Sequence, residues 1–281
     1  MKIKKNKKIS EDSEGKFLFM RHGETRFNQD PDPYRQIYPG YLDCDLSGDG
    51  IEQSKSIQKT INKLSIEAVY VSPFYRALQT AEICLKTHPN INNIKVIVHP
   101  LLSEIEGCTH DFMKDIKKNK KDFSNNSIVK FDWSVFNEYV RNIKYDENFF
   151  YFNEFNMVNE KIKNDYYTKL KKYYDNNKQS FFEKELEKLA IYRIQSGIRF
   201  ESLKHEYQRF IDFSKYLINK HKETLNNKNN KILSISHSGF IKVATSNEPY
   251  ENDKINISNT YIKFLDNCKI ISIFIDTEKN N

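Results

Sequence analysis

Phe17-Leu18-Phe19-Met20-Arg21-His22-Gly23-Glu24-Thr25-Arg26-Phe27-Asn28 is the stretch from which the fold of this chain is read. Its first four residues form an unbroken apolar run, the pattern of a strand buried inside a sheet. An Arg-His pair follows where that strand ends, and Gly23 lets the backbone turn into a polar loop. Open α/β sheets hold their ligands at such strand ends. A guanidinium beside an imidazole at that place points to phosphate chemistry. Neutral imidazole is a nucleophile able to form a covalent intermediate, and an arginine fork binds phosphoryl oxygens two at a time.

Three further strand ends supply the partners such chemistry needs. Val69-Tyr70-Val71 leads into Ser72-Pro73-Phe74-Tyr75-Arg76-Ala77-Leu78-Gln79-Thr80-Ala81. This reads as a strand, a serine N-cap, proline at the first helical position and a helix with small or apolar residues at 77, 81, 84 and 85. Arg76 then lies in the first helical turn, where its charge and the free N–H groups of the helix start both face an anion. The run Ile94-Lys95-Val96-Ile97-Val98 precedes His99-Pro100-Leu101-Leu102-Ser103-Glu104, a carboxylate just past a strand. Ile232-Leu233-Ser234-Ile235-Ser236 ends in His237-Ser238-Gly239, which places a second histidine after a fourth strand.

Together these residues resemble the histidine phosphatase superfamily, the phosphoglycerate mutase-like proteins. The resemblance covers about 16–110 and 198–275 and leaves the stretch between them unmatched. It is most specific in the Arg-His-Gly-Glu octet with Asn28 and in the Ser-Pro-x-x-Arg-Ala-x-Gln-Thr-Ala block at 72–81. Asp45-Leu46-Ser47 with Gly50 and Gln53 is similar to the family's turn into its first helix. The resemblance implies that His22 becomes phosphorylated and that Arg21, Arg76 and His237 hold the phosphoryl group. Asn28 and Ser238 assist, Glu104 moves the proton, and neither metal nor cofactor takes part. Two departures stand out. Gly107 lies one residue nearer the acid than the family's glycine does, so Glu106 is the alternative proton donor, and Ser238 stands where much of the family has glycine.

The residues make physical sense in the roles the resemblance implies. Phosphoryl transfer passes through a loose transition state with charge spread over three equatorial oxygens, so catalysis is mostly positioning and charge stabilisation. Two arginines and a donor histidine supply both. An unperturbed histidine, with a pKa of ~6.5, is already mostly neutral at pH 7, and neighbouring guanidinium groups favour the neutral form further. A leaving alkoxide needs a proton that a carboxylic acid can give, and the carboxylate can then take one from the attacking water. Burial is expected to raise the pKa of Glu104.

Other polar residues carry no such assignment. His110 sits in Cys108-Thr109-His110-Asp111 without the second close Cys/His pair that tetrahedral metal spacing needs, and reads as a rim or structural residue. Cys44, Cys84, Cys108 and Cys268 are scattered without a CxxC pair and read as reduced thiols. His88, His99, His205 and His221 read as surface or packing residues.

Strands alternating with helices predict a three-layer α/β/α sandwich with a mainly parallel central sheet. The expected order is strand 16–21, helix 47–63, strand 67–72, helix 73–87, strand 94–99, helix 198–221 and strand 231–236. A hairpin follows, with Tyr261 to Leu265 and Ile270 to Ile275 flanking a turn, its antiparallel member at a sheet edge. Residues 1–15 read as a basic flexible tail and 16–281 as one domain, interrupted by a mostly helical cap insertion at about 111–195. At 281 residues the chain can bury a substantial core. The net charge of +7 is spread through Lys/Asn-rich stretches, which speaks against a nucleic-acid partner. The tail lacks the apolar core of a secretory signal and no run approaches ~18 apolar residues, so the expectation is a cytoplasmic protein with no stable membrane insertion.

The function expected is a metal-independent phosphomonoester hydrolase acting on a small phosphorylated substrate or a phosphopeptide. A cofactor-dependent phosphoglycerate mutase would share the whole constellation. The family's mutases carry a paired-arginine segment with nearby prolines after the proton donor, whereas between Asp111 and Gly197 this chain has only Arg141 and Arg193, unpaired, and no proline. The third reading is a catalytically silent phosphate-binding regulator on the same scaffold.

Overall fold

The computed structural model describes residues 3–5, 15–32, 35, 39–104, 109–111, 116–125, 127–141, 203–227, 229–246, 265–273 and 275–277. A short antiparallel pair joins β1 (Ile3–Lys5) to β8 (Ile275–Thr277). The main sheet contains β2 (Phe17–Arg21), β3 (Ser65–Val71), β4 (Lys95–Val98), β5 (Phe131–Asp132), β6 (Asn230–Ser236) and β7 (Ile270–Ile273), in the order β5-β4-β3-β6-β2-β7. Every neighbouring pair is parallel except β2 with β7, which runs antiparallel at the edge.

The alternation of side chains along the strands builds two cores. Leu18 and Met20 join Val69, Val71, Val96, Val98, Leu233 and Ile235 on one face. There they meet Ala77, Leu78, Ala81, Cys84 and Leu85 of α4 (Tyr75–Leu85). Phe17 and Phe19 join Ala68, Tyr70, Ile97 and Ile232 on the other face. They pack under Phe210, Phe213 and Leu217 of α7 (Leu203–Lys220) and Phe240, Ile241 and Ala244 of α8 (Ser238–Ala244). Both faces are covered, as the unbroken apolar pattern of a parallel sheet requires. Each fully buried Val, Leu, Ile, Phe or Met side chain among them is worth about 1.5–3 kcal/mol over an exposed one.

Several local features depart from the sequence expectation. The helix expected over 47–63 is two pieces, α2 (Gly48–Ser56) and α3 (Gln58–Ile61). Ser47 caps α2 by accepting the Gly50 N–H at 3.0 Å. Ser72 does not cap α4: the N-cap position is Phe74, which has no capping group. Asp43, from a distant loop, instead accepts the Tyr75 N–H at 2.8 Å, held by Asn119 Nδ2 on its other oxygen at 2.9 Å. Asp43 does this with a φ of 40°, in the left-handed region that aspartate tolerates better than most residues.

Of the stretch read as an insertion, α5 (Ile116–Asn125), β5 and α6 (Ser134–Arg141) send Ile116, Phe123, Phe131 and Phe136 into the same core as β3 and β4, and Trp133, between β5 and α6, joins them. Residues 142–202 lie outside the described residues, as do 105–108 with Glu106 and Cys108, and 261–264 of the expected hairpin. No helix among the described residues is long and apolar enough to cross a membrane.

Candidate active site

Three adjacent strands, β3, β6 and β2, end at one level of the sheet and deliver the polar residues. The His22 N–H donates to Ser236 O at 3.0 Å and the Ser72 N–H to Ile235 O at 3.0 Å, so the turns leaving the strands are stitched to their neighbours. This brings the His22 and His237 rings edge to face with centroids 5.1 Å apart, and His237 edge to face with Phe74 at 5.1 Å. His22 is 4% exposed and His237 and Arg76 are fully buried.

The loop carrying His22 is braced by side chains that the sequence showed only as motif letters. Thr80 Oγ1 accepts the Gly23 N–H at 2.9 Å, Gln53 Oε1 the Glu24 N–H at 2.9 Å, and Gln79 Oε1 the Leu46 N–H at 2.8 Å. The Ser47 N–H donates to Glu24 O at 2.9 Å. So close is this packing that a Cβ on Gly23 would lie 2.6 Å from Gly50 O, and one on Gly50 would lie 1.9 Å from Glu24 O.

His22 Nδ1 lies 2.6 Å from Gly23 O. A carbonyl can only accept, so Nδ1 carries the proton and Nε2 of the neutral ring keeps its lone pair. Burial holds the His22 pKa well below the ordinary histidine value, and Arg76 and Arg21 push it the same way. The neutral form is thus favoured as expected, with desolvation ahead of the guanidinium charges. His237 is likewise held well below the ordinary value, by burial first and then Arg76. Burial also lowers Arg21, against the attraction of Glu104.

Arg21 donates through Nη1 to Leu265 O at 3.0 Å. Arg76 donates through Nη1 to His110 O at 2.8 Å and through Nη2 to Asp111 Oδ1 at 3.4 Å, above the Phe74 ring at 4.5 Å. His237 Nε2 shares a hydrogen bond with Ser72 Oγ at 2.7 Å. Among the described residues, Arg76 Nε and His237 Nδ1 are buried and have no hydrogen-bond partner. Such buried orphans are uncommon, and an anionic oxygen would satisfy the Arg76 donor directly and the His237 nitrogen once it carries the proton. Asn28 spends its Oδ1 on the Thr25 N–H at 3.1 Å in a capping box, which leaves only the donor end of its amide for an anion. Ser238 opens α8. Glu104 Oε2 accepts the Gly239 N–H at 3.3 Å and Oε1 the Phe240 N–H at 3.1 Å, which places its carboxylate on the positive end of that helix.

Sequence reading missed four neighbours. Ser72 holds His237, and Asp111 and His110 hold Arg76. Arg209 donates to Leu101 O and Ser103 O, each at 3.0 Å, and so steadies the turn before Glu104. His110 also stacks on Phe27 at 3.6 Å and lies 3.0 Å from Asp111 Oδ1 through Nε2. The only sequence signal was the nearness of His110 and Asp111 to Glu104. Among the described residues, no group of three or more His, Cys, Asp or Glu could hold a metal ion.

Residues 17–133 match the model of the histidine phosphatase superfamily (branch 1). The chain is 30% identical over 82 residues to the 2,3-bisphosphoglycerate-dependent phosphoglycerate mutase of Chlamydia pneumoniae, and 30% identical over 84 residues to that of Protochlamydia amoebophila. The first match covers 29% of this chain and 33% of the relative, the second 30% and 34%, so the chain spans about a third of the length of the curated relatives it matches. Among solved structures, it aligns with the ecdysone phosphate phosphatase of Bombix mori at a TM-score of 0.48 and 13% identity, over 94% of this chain and 95% of that one. A mycobacterial glucosyl-3-phosphoglycerate phosphatase aligns at 0.47 and 14% identity, over 93% and 97%.

Proposed function

We propose that this chain, which belongs to the histidine phosphatase superfamily over residues 17–133, hydrolyses phosphate monoesters through a phosphohistidine at His22. The observation that carries this reading is the pair of buried nitrogens without a partner among the described residues, Arg76 Nε and His237 Nδ1, beside a neutral His22 whose Nδ1 is committed to Gly23 O. His22 Nε2 attacks phosphorus and the ester P–O bond breaks, while Arg21, Arg76 and His237, with Asn28 and Ser238, hold the phosphoryl oxygens. Glu104 gives a proton to the departing alkoxide. Water then attacks the phosphohistidine, the N–P bond breaks, and the water proton returns to Glu104, ready for the next leaving group. Chain-borne groups supply every proton and charge in this cycle, so metal-independent turnover is the expectation. Residues 16–281 act as one domain, with substrate choice assigned to the remainder of the 111–195 stretch, and the substrate class is a small phosphate monoester or phosphopeptide.

The test is turnover of para-nitrophenyl phosphate, then of a panel of sugar phosphates, nucleotides, phosphoglycerates and phosphopeptides. His22→Ala is expected to abolish turnover, and activity surviving that change would remove the proposed nucleophile. The mutase reading draws on the 82-residue likeness to phosphoglycerate mutases. Conversion of 3-phosphoglycerate with a bisphosphoglycerate primer, faster than release of inorganic phosphate, would favour it over hydrolysis.

A further inference from the structure

We propose that Asp111 is the positioning residue of Arg76: its carboxylate aims the buried guanidinium at the phosphoryl group and, by its own charge, weakens the resting pocket's hold on phosphate. The inference rests on the phosphatase reading above and adds a residue to it. Arg76 reaches the site from α4, and its side chain is fully buried. One turn, Thr109–Asp111, takes two of its three nitrogens, Nη1 on His110 O at 2.8 Å and Nη2 on Asp111 Oδ1 at 3.4 Å. The Phe74 ring lies beneath the guanidinium at 4.5 Å and restricts its plane. Nε, the remaining nitrogen, is buried and has no partner among the described residues, so the turn fixes which edge of the fork meets the ligand. Asp111 is itself 4% exposed and its Oδ1 also lies 3.0 Å from His110 Nε2, so one carboxylate orients a cation and an imidazole together.

The consequence runs in two directions. A fork held in place before charge develops lowers the barrier, because the transition state needs donors at fixed positions on its equatorial oxygens. The same carboxylate sits beside an incoming phosphate and repels it in the ground state, where aim matters less. Removing its charge therefore strengthens resting phosphate binding while slowing turnover. A merely structural role would weaken both.

The experiment compares Asp111→Asn and Asp111→Ala with the full-length wild-type chain. Inorganic phosphate is the probe, measured as a competitive inhibitor of para-nitrophenyl phosphate hydrolysis and by calorimetry, with circular dichroism checking that the fold is kept. The expected result is phosphate bound about threefold to tenfold more tightly in both variants. kcat is expected to fall about tenfold for Asn, which keeps an acceptor oxygen, and about 100-fold for Ala. Phosphate affinity that falls along with kcat, or no change in either, overturns the proposal. Should the wild type hydrolyse no substrate on the panel, the phosphatase reading fails separately. Calorimetry then decides Asp111 alone: tighter phosphate binding in the variants sustains its role, and equal or weaker binding ends it.

Discussion

The hydroxyl of Ser72 holds His237 Nε2 at 2.7 Å, so the tautomer and aim of the second histidine depend on one neutral hydrogen bond. Removing a partner from a buried nitrogen costs about 1–3 kcal/mol. Ser72→Ala is expected to lower kcat/KM for para-nitrophenyl phosphate about tenfold to 100-fold, and a value within twofold of wild type would dismiss this role. A serine before a proline reads equally well as a helix cap, and nothing local distinguishes the two. His22, Arg21 and Arg76 could be named as candidates because they stand in contiguous motifs. The partners of those residues were not, because a hydrogen bond to a buried side chain leaves no periodic trace.

The loop after β2 is shaped by two helices pressing on it from α2 and α4. Gly50 of α2 packs so tightly that a methyl group there would meet the Glu24 carbonyl at 1.9 Å. Since Glu24 is two residues from His22, the backbone must move to make room. Gly50→Ala is expected to lower stability by about 1–3 kcal/mol in urea unfolding and to reduce kcat with it. Unchanged unfolding and turnover would show that the loop yields freely. Element types were readable from apolar runs and helix spacing. The start of α4 was not, since its cap is Asp43, 32 residues before Tyr75 in sequence.

Across the whole molecule, burial is the largest cause lowering the pKa of His22, His99, His110, His221 and His237. His99 is the clearest case, brought down to about 3 by burial alone. The sign follows from proton linkage. A histidine depressed in the folded state stays neutral there while the unfolded chain protonates near pH ~6.5, so stability is present above that pH and is lost as pH falls. Urea unfolding between pH 6.5 and 5, above most carboxylate titration, should therefore show falling stability. His99→Asn keeps an oxygen for the Leu101 N–H that His99 Nδ1 now accepts at 3.3 Å. The variant should flatten the slope by one proton, about 1.4 kcal/mol per pH unit. An identical slope in the two proteins would remove His99 from this account.

The order of the main strands and helices and the choice of the candidate nucleophile and charged groups came from sequence alone, because apolar periodicity and reactive residue types are local properties of the chain. Tertiary structure alone decided the holders of those groups. Ser72 meets His237 across 165 positions of sequence, and Arg76 meets Asp111 across 35. Such pairs arise only once the sheet has set its strand ends side by side, and burial then makes each hydrogen bond count by excluding the water that would otherwise compete for it.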